Sequence, residues 1–287
     1  MEYSKSSLVR ITTRDSIELQ GVLTEPRRRS RKAIIHVHGW VGNFHENKFI
    51  DSISEKVVAA GCAFFAFNNR GAGIVTDFIK RRARAVNYIR IGGSIEKFED
   101  CVLDIEAAID YLNRRGFKEI ILQGHSLGCQ KIIYYWHRIK DKRVKKLILL
   151  APVDDVDYVK RKLGRRYQSS LLMARQRHRV ESKAALPGHM EFYPLMTAAK
   201  FLDVGDPDST AGGLLDRKGE MREVASVRLP LLAVFGSRDE YEARPELCLK
   251  NLAGKNEQCR TRLIRNAGHG FAGYERELAT IVASWLN

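Results

Sequence analysis

Short apolar runs of strand length alternate with longer helical patterns along most of the chain. These runs are apolar on both faces, as the strands of a buried parallel sheet must be. They cover Ala33 to Val37, Cys62 to Phe67, Glu119 to Leu122, Val144 to Leu150, Pro230 to Phe235 and Arg260 to Ile264. Two earlier runs of alternating residues, Leu8 to Thr13 and Ile17 to Leu23, predict an antiparallel hairpin at the edge of that sheet.

Helical patterns follow the predicted strands. Ser94 to Arg115 has apolar residues at helical spacing, with Ser94 as a candidate N-cap and Gly116 as a stop. Tyr274 to Leu286 repeats the pattern at the end of the chain. Strands and helices that alternate in this way predict an α/β fold with a mostly parallel central sheet and helices on both faces.

One segment interrupts the alternation. Between residues 154 and 225 three helix-like pieces are separated by Gly and Pro: Asp157 to Leu163, Ser169 to Arg177 and Pro194 to Leu202. The segment is too long for a bare loop. We therefore predict a helical cap insertion at 154–225 between two parts of one core domain, 1–153 and 226–287. Since ligands bind beyond the carboxyl ends of the strands, a cap in this place would cover the binding crevice.

A G-x-S-x-G motif, Gly124 to Gly128, stands directly after one predicted strand and before a helical pattern. In such a tight strand-to-helix turn the serine adopts a strained conformation that exposes its hydroxyl above the sheet. Glycines two residues away on both sides, here Gly124 and Gly128, let strand and helix approach each other. The motif predicts a nucleophile at Ser126.

A serine nucleophile needs a base and a carboxylate that orients the base. Asp239 follows the strand that ends at Phe235, and His269 lies on a glycine-flanked loop after the last strand. Both positions predict side chains at the same crevice as Ser126. Other acids remain open as rivals to Asp239, namely Asp154, Asp155 and Glu240.

Acyl transfer also needs N–H donors for the oxyanion of its tetrahedral intermediate. The amide of Leu127, next to the nucleophile, is one candidate. The second is the amide of Trp40, in the loop after the strand that ends at Val37. Gly39 permits the required turn, and His38 is placed to brace the loop.

Together these features resemble the α/β-hydrolase superfamily over nearly the whole chain: His38-Gly39, Asn69-Arg70-Gly71, the Gly124 to Gly128 elbow, Ser237-Arg238-Asp239 and Gly268-His269-Gly270. The chain looks like its esterase, thioesterase and peptidase-like members with a helical cap. The resemblance implies a triad of Ser126, Asp239 and His269, an acyl-enzyme and no cofactor. Asn68-Asn69 departs from relatives that carry an acidic residue before Arg-Gly.

Composition and charge narrow the remaining possibilities. The 287 residues have an ordinary globular composition, and five cysteines without C-x-x-C spacing predict neither disulfides nor a zinc site. With no signal or membrane-spanning pattern, we expect a cytoplasmic protein without integral membrane association. The net charge of +15 is concentrated between Tyr158 and Ala184. It suggests a small acyl substrate that is anionic, such as an acyl thioester, and no nucleic-acid partner is expected.

The sequence also suggests two alternative classes of protein. A metal hydrolase would use His36, His38 and His45, but Gly39 to Val41 offer no further ligands, so no metal is predicted. A non-catalytic protein of hydrolase fold would use its basic surface to bind nucleic acid or a membrane. Ester hydrolysis is the preferred prediction, with thioester hydrolysis, acyl transfer and amide cleavage as alternatives, and oligomeric state is open.

Overall fold

A computed structural model describes residues 5–82, 85–181, 185–186, 188 and 195–286 of the chain. Its strands are β1 (Lys5–Thr12), β2 (Glu18–Glu25), β3 (Lys32–Val37), β4 (Ala63–Phe67), β5 (Thr76–Arg82), β6 (Ala85–Ile91), β7 (Glu119–His125), β8 (Val144–Leu150), β9 (Leu231–Gly236) and β10 (Cys259–Ile264). Its α-helices are α1 (Lys48–Ala59), α2 (Cys101–Arg114), α3 (Leu127–Ile139), α4 (Asp155–Leu163), α5 (Tyr167–Val180), α6 (Ala198–Gly205), α7 (Thr210–Leu214), α8 (Arg222–Ser226), α9 (Pro245–Lys255) and α10 (Glu275–Leu286).

Eight strands form one sheet in the order β1-β2-β4-β3-β7-β8-β9-β10. β1 pairs with β2, and β2 with β4, in antiparallel fashion, whereas every pair from β4 to β10 is parallel. Helices α1 and α10 pack against each other, and α2 packs against α3. The predicted fold class, an α/β-hydrolase sheet with an edge hairpin, is confirmed.

Burial follows the position of each strand in the sheet. The central strands β3, β4, β7, β8 and β9 are buried along almost their whole length, because helices cover the sheet. β10 exposes Arg260 and Arg262, since it is an edge strand with one neighbour. Charged side chains on an edge strand also discourage pairing with other chains.

One local prediction is wrong, and one element was missed. The helix predicted from Ser94 begins at Cys101, after a 3₁₀ turn at Phe98–Asp100. The segment before it is held by tertiary contacts instead, with Ser94 N donating to Ile74 O and the Glu96 carboxylate buried. The hairpin of β5 and β6 was not predicted, because most side chains of β6 are exposed and show no apolar alternation.

Among the described residues, the α-helices α4 to α8 lie between β8 and β9, in the segment predicted as an insertion. α4 and α5 include the predicted pieces 157–163 and 169–177, and α6 covers 198–205 where the sequence predicts 194–202. Pro194 is outside the described residues. The division into core and cap remains a prediction.

All five cysteines are buried free thiols. Of the helices described, none combines the length and the apolar character that crossing a membrane requires.

Candidate active site

Ser126 lies in a sharp turn between the end of β7 and the start of α3. Its backbone angles are φ 54° and ψ −128°, a conformation that costs a non-glycine residue free energy. The turn is held by Ser126 N, which donates to Leu150 O of β8 at 2.9 Å. The side chain is half-buried at the carboxyl end of the sheet. This is the geometry that the G-x-S-x-G motif predicts.

The glycines of the motif are required by close approach. A Cβ on Gly124 would collide with the Gly128 backbone, and a Cβ on Gly128 would collide with Val37 O of β3. A Cβ on Gly39 would lie 2.8 Å from Ser126 Cβ. The loop after β3 therefore packs directly against the serine, which is possible only because residue 39 has no side chain.

The His269 and Asp239 side chains meet beyond the ends of β9 and β10. His269 Nδ1 donates to Asp239 Oδ2 at 2.8 Å. The other oxygen, Asp239 Oδ1, accepts from the backbone N–H groups of Tyr241 at 2.9 Å and Glu242 at 3.1 Å. These bonds hold the carboxylate in one orientation, so it can hold the imidazole and stabilise its charged form.

The rival acids have other partners. Asp154 caps helix α4 through Asp157 N and accepts from Arg217 N at 3.0 Å. Asp155 Oδ2 accepts from Gln130 Nε2 at 2.6 Å. Glu240 Oε2 accepts from the backbone N–H of His269 at 2.9 Å, so it orients the loop rather than the ring. Among the four candidate acids, Asp239 is the one bonded to the imidazole.

The loop of His38, Gly39 and Trp40 faces the start of α3. His38 is buried, its Nδ1 donates to Gly39 O at 2.9 Å, and its Nε2 accepts from Asn69 N at 3.1 Å. Burial, with the charge of Lys131, lowers the pKa of His38 to about 3, so its ring is neutral. Leu127 is the first residue of α3, where a backbone N–H has no acceptor within the helix.

Ser126 and His269 line one pocket of about 230 Å³. Among the hydrogen bonds of the described residues, none joins Ser126 Oγ to the imidazole; such bonds are often loose without substrate. The other lining residues are Gly39, Trp40, Glu46, Asn47, His125, Val153, Asp155, Tyr158, Glu240, Tyr241 and Gly270. Three of them are carboxylic acids, and this described lining contains no Lys or Arg.

Burial raises the pKa of two carboxyl groups in the pocket wall, Asp155 and Glu46. Desolvation, together with the neighbouring Asp154 carboxylate, raises the pKa of Asp155 to about 8. Desolvation also raises the pKa of Glu46. Both shifts have burial as their largest cause, because burial favours the uncharged form of a carboxyl group.

Several pocket residues were not singled out in the sequence. His125 Nε2 lies 3.0 Å from His269 O, and burial lowers the pKa of His125 well below its usual value, so a neutral ring supports the histidine loop. The Tyr241 ring is tilted by 60° against the His269 ring with their centroids 4.6 Å apart, and the centroids of Tyr158 and Tyr241 are 5.2 Å apart. For His125, its place next to the nucleophile was the available signal, whereas nothing in the sequence indicated the two tyrosines.

Two of the three candidate metal-ligating histidines, His36 and His38, have hydrogen-bond partners within the protein. His36 Nδ1 lies 2.9 Å from Gln123 Nε2, and both His38 nitrogens are hydrogen-bonded as described above. No cluster of three or more His, Cys, Asp or Glu side chains suited to a metal occurs in the described ranges.

The sheet order and the serine turn at its carboxyl edge define an enzyme of the α/β-hydrolase class. Within that class, the chain belongs to the family described as serine aminopeptidase S33, whose model matches residues 28–273. No curated protein sequence is detectably similar to this chain.

Solved structures share the fold at low sequence identity. An esterase of Pyrococcus furiosus, Pf2001, is 17% identical with a TM-score of 0.64, covering 99% of this chain and 91% of its own. Est1E of Butyrivibrio proteoclasticus, solved with ferulic acid bound, is 16% identical with a TM-score of 0.68, covering 96% of this chain and 97% of its own. DcsB, solved with a substrate analogue, is 14% identical with a TM-score of 0.69 and 98% of both chains covered.

Proposed function

We propose that the protein is a serine esterase that cleaves small carboxylic esters through an acyl-enzyme on Ser126. The observation that carries the proposal is the 2.8 Å bond from His269 Nδ1 to the buried Asp239 Oδ2, with His269 lining the same pocket as the strained Ser126. The esterase structures of the same fold support the ester as the bond cleaved.

In the proposed reaction, Ser126 Oγ attacks the ester carbonyl while His269 Nε2 accepts the hydroxyl proton. Asp239 stabilises the resulting imidazolium. The negative oxygen of the tetrahedral intermediate binds the amides of Leu127 and Trp40. His269 then protonates the leaving alcohol, and a water molecule, activated by the same imidazole, hydrolyses the acyl-enzyme.

The pocket walls suggest what the substrate looks like. A pocket of about 230 Å³ is below the usual range for drug-sized ligands, which favours a short acyl group. Trp40, Tyr158 and Tyr241 provide apolar and aromatic surface. We propose a neutral acyl group as the main substrate class, because Glu46 and Glu240 would repel an anionic one and the described lining holds no Lys or Arg to pair with it. The anionic thioester suggested by net charge becomes the weaker alternative.

Cleavage next to a free amino group is a second candidate. The carboxylates of Glu46 and Glu240 in the pocket lining would attract an ammonium group, and the family description names aminopeptidases. Comparing aminoacyl p-nitroanilides with p-nitrophenyl esters of equal size separates the two candidates. Faster turnover of the anilides would replace the esterase proposal by this one.

A fluorophosphonate probe combined with a p-nitrophenyl ester series tests the proposal. We expect labelling of the wild-type protein, none of Ser126→Ala, and a loss of turnover in that variant of about 10⁴-fold or more. Ser169→Ala, an exposed serine on α5, is the matched control and should be labelled like the wild type. Labelling that survives in folded Ser126→Ala would refute Ser126 as the nucleophile.

A further inference from the structure

Three charged side chains lie fully buried near the loop that carries Gly39 and Trp40. Glu96, Lys131 and Lys200 each have a side-chain exposure of 0%. Burying a charge is costly unless it is paired and hydrogen-bonded, and apolar residues often fill such a place with no loss of stability. Their contacts therefore point to a role other than stability.

The first contacts are between the charges themselves. Lys131 Nζ lies 2.9 Å from Glu96 Oε2 and 3.0 Å from Glu96 Oε1. Lys200 Nζ lies 3.4 Å from Glu96 Oε1 and 3.1 Å from Asp203 Oδ2. Two positive and two negative groups form one network, and its formal charges cancel.

The network continues into the loop beside Ser126. Lys131 Nζ donates to Asn69 Oδ1 at 3.0 Å. Asn69 donates to His38 twice, from its backbone N–H to Nε2 and from Nδ2 to the backbone carbonyl, each at 3.1 Å. Because Nε2 accepts, Nδ1 carries the ring proton and donates it to Gly39 O. An unbroken chain of contacts thus runs from Glu96 to Gly39.

The network joins separate elements of the fold. Lys131 is on α3, four residues after Leu127, and Glu96 is in the segment between β6 and α2. Lys200 is on α6, in the segment between β8 and β9. Thr197 Oγ1, at the start of α6, donates to Ser94 O at 2.5 Å and is a second link to the same segment. The position of α6 is therefore coupled to the network by two contacts.

We propose that Lys131 and Glu96 are positioning residues for the hydrolytic reaction. Through Asn69 and His38 they hold the loop with Trp40 at the correct distance from the Leu127 amide, and Lys200 makes the seating of α6 a part of the same network. The inference rests on the proposed function, in which those two amides bind the oxyanion. Small errors in the position of such donors cost much of the rate, because they act at full strength only in the transition state.

Methionine substitutions test the proposal, since they keep the length of lysine and remove its charge and donors. We expect Lys131→Met to lower kcat about 10- to 100-fold with KM within about threefold of wild type. We expect a loss in kcat of about 3- to 10-fold for Lys200→Met. The double variant should be no slower than Lys131→Met, because both residues act along one path.

A second readout separates positioning from mere folding. A trifluoromethyl ketone forms an adduct with the serine whose negative oxygen occupies the oxyanion site. Its affinity should fall by the same factor as kcat in each variant. Asp141→Asn is the matched control, because Asp141 is a buried charge bonded to Tyr135 and Arg143 just before β8, at the opposite end of the sheet. It should lower the melting temperature and leave kcat and ketone affinity unchanged.

Two results would overturn the proposal. Folded Lys131→Met with wild-type kcat and ketone affinity refutes it, and so do losses for Lys131→Met and Lys200→Met that multiply in the double variant. If Lys131→Met does not fold, the charge-balanced Glu96→Gln/Lys131→Met variant replaces it with the same expected losses. Failure of the proposed function is recognised separately, because the wild type would then show neither labelling nor turnover that depends on Ser126.

Discussion

Helix α4 borders two regions of opposite charge. At its start, Asp155 and Tyr158 line the pocket beside Ser126, together with Glu46 and Glu240. At its end, Arg161 and Lys162 are exposed on the outer surface, at the beginning of the most basic part of the chain. The pocket is thus acidic, although the protein as a whole carries a net charge of +15.

The contrast shows that net charge does not predict the sign of a site. Salt screens exposed charges over about 10 Å, so a substrate in the pocket interacts mainly with the groups in its walls. Some of the basic side chains are also neutralised by neighbouring carboxylates on the surface. Arg161 pairs with Asp157 at 2.9 Å, and Arg175 pairs with Asp206 at 2.8 Å.

The largest effect is expected when the charge of the substrate is varied. Among p-nitrophenyl esters of equal length with a cationic, neutral or anionic acyl end, kcat/KM should be lowest for the anionic ester, by about tenfold against the neutral one. Glu46→Gln should narrow that difference without slowing the neutral ester, whereas Asp155→Asn should leave it unchanged at neutral pH, where Asp155 keeps its proton. If the anionic ester proves the best substrate, the pocket wall does not control selection and the basic surface does.

The pH dependence of the free energy of unfolding tests the protonation state of Asp155 without a substrate. The pKa of Asp155 is raised from 3.8 to about 8 by burial and Asp154, so the folded protein keeps a proton that the unfolded chain releases. Stability should therefore fall as pH rises between these values, by up to about 1.4 kcal/mol per pH unit, and no further above them. The Asp155→Asn variant cannot lose stability in this way. In thermal unfolding, its melting temperature relative to wild type should therefore be higher at pH 8 than at pH 5.

Asp157→Asn is the control for that measurement. Although burial acts to raise it, contacts with Arg161 and Arg217 lower the pKa of Asp157 below 3.8. The stability that Asp157 contributes is present above that value and is lost only in more acidic solution. The difference between Asp157→Asn and wild type should hence stay constant from pH 5 to pH 8. Unfolding curves of Asp155→Asn that also stay parallel to wild type would show that Asp155 is ionised at neutral pH.

The smallest effect is expected on the basic surface. Reversing the exposed charges in Arg165→Glu/Arg166→Glu should change kcat/KM of the neutral ester by less than about twofold at physiological salt. Rates at low and high salt should show the same insensitivity. A severalfold loss confined to the anionic ester would mean that the outer surface attracts substrate after all.

Much of the fold could be predicted because its signals are local. Buried strands such as β8 must be apolar on both faces, and the turn at Ser126 needs glycines on either side, so each leaves a pattern in a few consecutive residues. The sequence predicts the start of α2 too early, because serine is a favoured residue type at helix N-caps. Its actual surroundings, with Thr197 bonded to its carbonyl, come from a segment about a hundred residues away.

The sequence by itself determined the order of the elements and the residue types available for acyl transfer, since periodicity and glycine spacing are properties of neighbouring residues. Only the tertiary structure decided which of four acids meets the imidazole, which acids line the pocket, and that Lys131 contacts both Glu96 and Asn69. The physical reason is that pairing and desolvation depend on distances of a few ångströms between segments far apart in the chain. No local pattern encodes those distances.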